Sequence, residues 1–138
     1  MTEVKSKLLS LKDAGLTTEN PAEDIRGRDV VDAAGEKIGH VNDLLIDENE
    51  RKVRLMEIGH GGILGIGESK VLVPIDAISR IDEDVVHVSP TREHVAGAPR
   101  YDPEIVEEWD YYGSLYGYYG VGPYWAGGYA YPAYPYYR

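Results

Sequence analysis

The segment His60-Gly61-Gly62-Ile63-Leu64-Gly65-Ile66-Gly67-Glu68-Ser69-Lys70 holds the residue types of three kinds of site: a phosphate cradle, an oxyanion hole and a hydrolytic pair. Spacing argues against each. A P-loop needs lysine and a hydroxyl directly after its last glycine. Here Gly67 is followed by Glu68, Ser69 and Lys70, so a carboxylate stands where phosphate would lie. The glycines at 59, 61, 62, 65 and 67 never match G-x-G-x-x-G, and a strand-like VLVPI follows them where a dinucleotide site needs a helix. An esterase-type HGG needs a serine on a G-x-S-x-G elbow, and the sequence has none. A hydrolase built on His60 and Ser69 is therefore the weaker reading. The stronger one is a glycine-rich hairpin connection in which Gly61, Gly62, Gly65 and Gly67 serve backbone geometry.

The other reactive residues are scattered. His40, His60, His87 and His94 form no H-x-x-x-H pair, and without cysteine a zinc site would need carboxylates from distant segments. The acidic runs at 47–50 and 82–84 lack the EF-hand order and read as solvated turns. Alternation places His87 on the outer face of its strand. No cofactor, no metal and no catalytic residue is expected, and the chain reads as a non-enzyme.

Charge narrows the partners. The 138 residues carry a net charge of −10. Residues 1–100 hold 13 basic and 19 acidic side chains, and residues 101–138 hold one and five. Binding to nucleic acid draws on lysine and arginine that displace counterions from phosphate. An acidic chain without a basic stripe is poorly suited to it, which leaves contact through a ribosomal particle as the route to RNA. The start, MTEVKSKLLSLKDAG, has no signal-peptide core, and no stretch is apolar for the roughly 18 residues of a membrane span. A cytoplasmic setting is expected.

Short apolar runs separated by turn signals occupy residues 25–90. They are Val30-Val31, Ile38–Ile46, Val53–Ile58, Val71–Ile75 and Val85–Val88, with turns at Gly35 and Gly39 and at the charged DENER. Such spacing predicts an all-β domain, mostly antiparallel because no room remains for crossover helices. Pro74 lacks an amide hydrogen and belongs at a strand end, an edge or a bulge. Residues 1–24 read as a lead-in, with a short helix or irregular chain over 4–14. A helical extension over 91–112 is expected, with Ser89-Pro90 and Asp102-Pro103 as helix starts. Gly97 would end the first helix and Gly117 the second.

All 12 tyrosines and both tryptophans lie from Tyr101 onward, so an aliphatic body carries an aromatic tail. Residues 113–138 are rich in tyrosine, glycine and proline, and disorder is expected there. Trp109 falls four residues after Ile105, on a face continued by Tyr112. That helix could act as a lid, with Trp125 remaining in water. The candidate interaction residues are Trp109, Tyr112, Tyr116, Tyr118, Tyr119 and Trp125, since tyrosine offers large contact area with few torsions to freeze.

Several of these pieces resemble the PRC-barrel family. They are Val30-Val31-Asp32, then Gly35-Glu36-Lys37-Ile38-Gly39 with Val41 and Asp43, then Val71-Leu72-Val73-Pro74 followed by Ile78. The resemblance covers residues 25–90 and extends toward SPTREHVAGAPRYDP, as in bacterial stress-type members with a helical extension. It implies a small, strongly bent antiparallel β-barrel that docks onto other macromolecules without catalysis. The family includes the cytoplasmic domain of the photosynthetic reaction-centre H subunit and the C-terminal domain of a ribosome-maturation factor. The expected function is a protein-interaction or assembly module, self-associating as a homodimer or binding another protein. The alternatives are a ribosome-associated factor and a peripheral component of a photosynthetic or membrane complex.

Overall fold

The computed structural model describes residues 8–11, 15, 24–47, 52–60, 69–99, 108–123 and 125. Seven strands form one sheet: β1 Leu8–Ser10, β2 Asp29–Val31, β3 Lys37–Asp47, β4 Val53–His60, β5 Ser69–Pro74, β6 Ile78–Ile81 and β7 Val85–Val88. Helix α1 spans Arg92–Ala96 and helix α2 spans Glu108–Tyr119. The strand order is β5-β4-β3-β2-β7-β6, with β1 also paired to β3. All pairings are antiparallel except β2 with β7.

Among the described residues the sheet is strongly β-rich but not closed, with β5 and β6 as its ends, so the expected small bent barrel is borne out as a mostly antiparallel β-sheet and not as a closed ring. Pro74 ends β5 and leads into one 3-10 turn over Ile75–Ala77, which is where the sequence expected a strand end. Proline cannot extend the ladder, and the chain turns away before β6 begins on the far side of the sheet. The β6 edge is short, interrupted by a register shift between Ile78 and Arg80, and bears a charged residue. Those features discourage pairing with another chain.

Two further expectations change. Leu8–Ser10, read as part of a helical or irregular lead-in, is strand β1 against the end of β3. The stretch 76–80, which its residues suggest as a short turn or one helical turn, does begin in the 3-10 turn, but Ile78, Ser79 and Arg80 belong to β6. Both strands are too short to show a period in the sequence. The glycine segment does join two paired strands, because His60 and Ser69 are register partners across it. Gly61, Gly62, Gly65 and Gly67 lie outside the described residues.

Alternation sorts the side chains of β3, β4 and β5 between two faces. Leu44, Ile46, Met56, Ile58, Val71 and Val73 join the main core with Ile25, Val30, Ile81, Val86, Val88 and Val95. Leu45, Leu55 and Leu72 point to the opposite face, where Leu8 joins them. Bulges bend the long β3–β4 hairpin between Val41 and Asp43 and between Leu45 and Ile46. The first places Asp43 opposite Glu57, both buried. Ser10 Oγ and the Leu44 amide donate to Asp43, and Asn42 Nδ2 donates to Glu57 at 2.7 Å. Near the hairpin end, Arg54 Nε donates to Asp47 at 2.8 Å, with side-chain exposures of 3% and 0%. Each buried carboxylate is thus hydrogen-bonded, as burial requires.

Gly35 turns the chain from β2 to β3 at φ +84°, a conformation that a Cβ disfavours. Asp32 holds that turn. Its Oδ1 accepts from the amides of Ala34 and Glu36, and its Oδ2 accepts from the Arg92 amide at 3.0 Å. One carboxylate therefore ties the β2–β3 turn to the first turn of α1. Thr91 caps that helix, its side chain accepting from the His94 amide, which corrects the expected start at Ser89-Pro90. Gly97 does end α1.

Gly39 is corrected from a turn to a mid-strand residue of β3. A Cβ there would lie 2.1 Å from the Gly59 carbonyl oxygen and 3.0 Å from Ile58 Cγ2. We expect Gly39→Ala to destabilise the fold by about 3 kcal/mol, because backbone cannot yield as a side chain can. Urea unfolding measures this, and a loss within error of zero would refute the close approach. The hydrogen bonds to Asp32, first that from the Arg92 amide and then that from Glu36, hold its carboxyl below the usual range. A depressed carboxyl stabilises the fold above its unfolded pKa, near 3.9, and that contribution fades as pH falls through the folded value. Asp32→Ala should therefore cost stability at pH 7 and progressively less as pH falls below about 4. Parallel unfolding curves at the two pH values check the sign.

Candidate interaction surface

Helix α2 covers the second face of the sheet. Tyr112, Leu115 and Tyr116 are buried against Leu8, Leu45, Leu55 and Leu72. Spacings of three and four residues put these side chains on one stripe of the helix. Gly113, Ser114 and Gly117 are exposed on the other side, and a Cβ at either glycine would meet open space. The lid expectation thus holds for the helix as an element. Trp109 lies within α2, and its side chain falls outside what is described.

The helix runs past Gly117, its expected end, to Tyr119. It closes with the Gly120 amide donating to the Gly117 carbonyl and the Val121 amide to the Tyr116 carbonyl, both at 3.1 Å. This is a Schellman closure, with Gly120 at φ +70° and Val121 supplying its apolar contact. Residues 113–123 and 125 are therefore part of the fold, which corrects the expectation of disorder for that stretch. Trp125, expected in water, is half-buried with its ring edge-on to Tyr116 at 5.6 Å. Residue 124 and residues 126–138 lie outside the described residues.

A second contact joins α2 to α1. The His94 ring stacks on Tyr118 at 4.2 Å with planes 9° apart. Tyr118 donates its hydroxyl to the His94 carbonyl at 2.5 Å, and His94 Nε2 lies 3.1 Å from the Tyr118 carbonyl. Tyr119 stands edge-on to both rings. Burial pushes the Tyr119 phenol above its ordinary pKa, with Tyr118 and Tyr111 adding to the shift. Tyr111 donates to the Pro99 carbonyl at 3.1 Å, a third tie between the helix and the end of the domain.

The sequence-derived set thus divides. Tyr112 and Tyr116 are buried and hold the helix down. Tyr118 and Tyr119 remain half-exposed beside His94, which is exposed, and Trp125 remains half-exposed against Tyr116. Leu8, Leu45, Leu55, Leu115 and Tyr111 were not singled out from sequence, His94 was weighed only as a metal ligand, and Leu72 only as part of the family pattern. The leucine signal was present in β5, where Leu72 alternates with Val71 and Val73. It could not reveal that both faces of the sheet would be covered. Among the other histidines, His87 Nε2 lies 2.9 Å from Asp82 Oδ2 and 2.8 Å from Arg80 Nη2. That cluster sits on the β6–β7 hairpin, away from α2. Among the described residues no group of His, Asp and Glu is arranged to hold a metal, and no helix is long and apolar enough to cross a membrane.

Two glycines on an open helix face make α2 weak by itself, so docking carries its stability. Gly113→Ala should raise helix stability by about 1 kcal/mol without touching the sheet. Leu115→Ala should cost about 2–5 kcal/mol through the cavity it leaves. Hydrogen exchange of the α2 amides reads both. Slower exchange in Gly113→Ala and faster exchange in Leu115→Ala are expected, and equal exchange in the two would refute docking as the source of order.

Comparison with known sequences agrees with this architecture. No curated protein matches the chain. The PRC-barrel domain matches residues 17–95, which covers β2–β7 and most of α1 and leaves α2 outside. PRC-barrel domains are typically interaction modules. With more than half its length matched, the β-rich body bearing the α2 lid belongs to the PRC-barrel family.

Proposed function

We propose that the protein is a non-enzymatic interaction and assembly module, in which the sheet is the scaffold and the C-terminal aromatic region contacts another protein. One observation carries this reading. Helix α2 spends Tyr112, Leu115 and Tyr116 on docking and holds Tyr111, Tyr118, Tyr119 and Trp125 half-exposed around it. Partly exposed tyrosine and tryptophan on a fixed frame present large apolar area with polar tips at small entropic cost. The net charge of −10 favours a protein partner over bare nucleic acid. A stress role rests on the family resemblance, and a cytoplasmic setting on the composition of the chain. Self-association is the simplest form of assembly and would tighten as salt screens the charge.

Capture with the tagged full chain tests this reading when it is run beside a Tyr118→Ser/Trp125→Ser variant, with and without nuclease. The expected result is a protein recovered regardless of nuclease and lost with the variant at unchanged circular dichroism. Recovery of ribosomal particles that nuclease abolishes would replace this reading with the ribosome-associated one. Equal recovery by the variant would move the contact away from the aromatic surface.

A further inference from the structure

His87 stands on β7 between two groups of opposite charge. Val86 and Val88 point into the main core, so His87 faces the other side of the sheet, where its register partner on β6 is Arg80. Its Nε2 lies 2.8 Å from Arg80 Nη2 and 2.9 Å from Asp82 Oδ2. Arg80 Nη1 closes the triangle on Asp82 Oδ1 at 3.1 Å. A guanidinium only donates and an ionised carboxylate only accepts. The one ring nitrogen therefore cannot satisfy both neighbours in any single state. Without a proton it accepts from Arg80 and faces a second acceptor in Asp82. With a proton it donates to Asp82 and faces a second donor in Arg80.

The backbone around this triad is tied down, so the side chains must answer the conflict. The Asp82 amide donates to the Val85 carbonyl at 2.7 Å, and the Asp29 amide donates to the Asp84 carbonyl at 3.1 Å. Arg28 Nη1 donates to the Asp82 carbonyl at 2.9 Å. The side chains of Arg80, Asp82 and His87 are 43%, 33% and 24% exposed, which leaves the arginine the most room to rotate. Among the described residues, the neighbouring charges are committed elsewhere or open to water. Across Val31, the β2 neighbour of His87, Lys37 of β3 pairs with Asp29 at 3.3 Å. Glu83 and Asp84 are exposed in the turn.

We infer that protonation of His87 exchanges the middle member of this triad. With neutral imidazole, Arg80 is the bridge: Nη1 donates to Asp82, Nη2 donates to Nε2, and the ring proton sits on Nδ1. Both guanidinium nitrogens are then used, and water reaches Asp82 Oδ2. With imidazolium, Asp82 is the bridge: Oδ2 accepts from Nε2, Oδ1 accepts from Nη1, and Nη2 turns out to water. The end strand of the sheet thereby gains a positive charge and an open donor in acid and loses both in base. The interval is that in which imidazole changes charge, about pH 5 to 8. The triad lies at the opposite end of the strand order from the face under α2, and the exchange does not rest on the partner proposed above.

Imidazole 15N resonances of the full chain, assigned to His87 by their loss in His87→Gln, read the tautomer directly. At the alkaline end of that interval Nδ1 should carry the proton and Nε2 should be bare. As pH falls, Nε2 should gain a proton, and the Arg80 guanidinium signals should shift with the same midpoint. In Arg80→Ala the neutral ring has only Asp82 to serve, so its proton should move to Nε2. In His87→Gln the Arg80 signals should stay in place across the interval. The exchange is wrong if the native ring carries its proton on Nε2 at the alkaline end, or if the tautomer is the same in Arg80→Ala. Arg80 signals that stay still while Nε2 is protonated, or that still shift in His87→Gln, would equally overturn it.

Discussion

Register between β3 and β4 is the constraint on which the other features depend. Every side chain on these strands belongs either to the main core or to the face under α2, and a slip of one residue would exchange the two sets. Charged Asp43, Asp47 and Glu57 would then turn toward the aliphatic core. The hairpin is pinned where Gly39 passes the Gly59 carbonyl too closely for any side chain. It is pinned again by the buried Arg54–Asp47 pair near the turn. An unpaired charge at either position would be costly to bury, so the pair acts against misregister as well as for the native one. Two bulges absorb the remaining mismatch and bend the sheet so that one face can enclose a core.

From this register follows the division of labour between aliphatic and aromatic residues. Among the described residues the buried set of the main core is Val, Ile, Leu, Met and Ala, with no aromatic residue. Among the described residues the opposite face offers four buried leucines from the strands, too little to order itself against water without a cover. Helix α2 supplies the cover with Leu115 and with Tyr112 and Tyr116, whose rings bury large apolar area. The same geometry leaves other aromatic rings near the surface on a fixed support. An interaction surface therefore arises as the second side of an element whose first side is structural. The family match ends at residue 95, so this surface lies on the part of the chain beyond the shared domain.

The links between body and helix are few and specific. Asp32 ties the β2–β3 turn to the start of α1, and His94 ties α1 to the end of α2. Through these two side chains the turn that starts the long hairpin is connected to the aromatic region some 85 residues later in sequence. Neither contact involves a large apolar area. They orient elements whose stability comes from the two cores.

The all-β body, the turn at Gly35, the strand end at Pro74, the end of α1 at Gly97 and the family were legible in the sequence, because each is written in local spacing or in a residue with restricted backbone. The strands β1 and β6 were not, since three or four residues carry no period. The end of α2 was misplaced at Gly117 because three glycines compete there. Only the apolar contact of Val121 with the cluster around Tyr116 selects Gly120. Disorder after residue 113 was expected from composition, which counts the apolar area a segment carries but not the surface waiting to receive it. Leu8, Leu45, Leu55 and Leu72 come from four separate strands, and their convergence is a property of pairing. Local chemistry thus determined which residues can turn, extend or stack. The tertiary structure alone decided that both faces of the sheet are covered and that α2 and the turn after it pack onto one of them. Each of those outcomes depends on contacts between residues far apart in the chain, whose free energy appears only once the strands are in register.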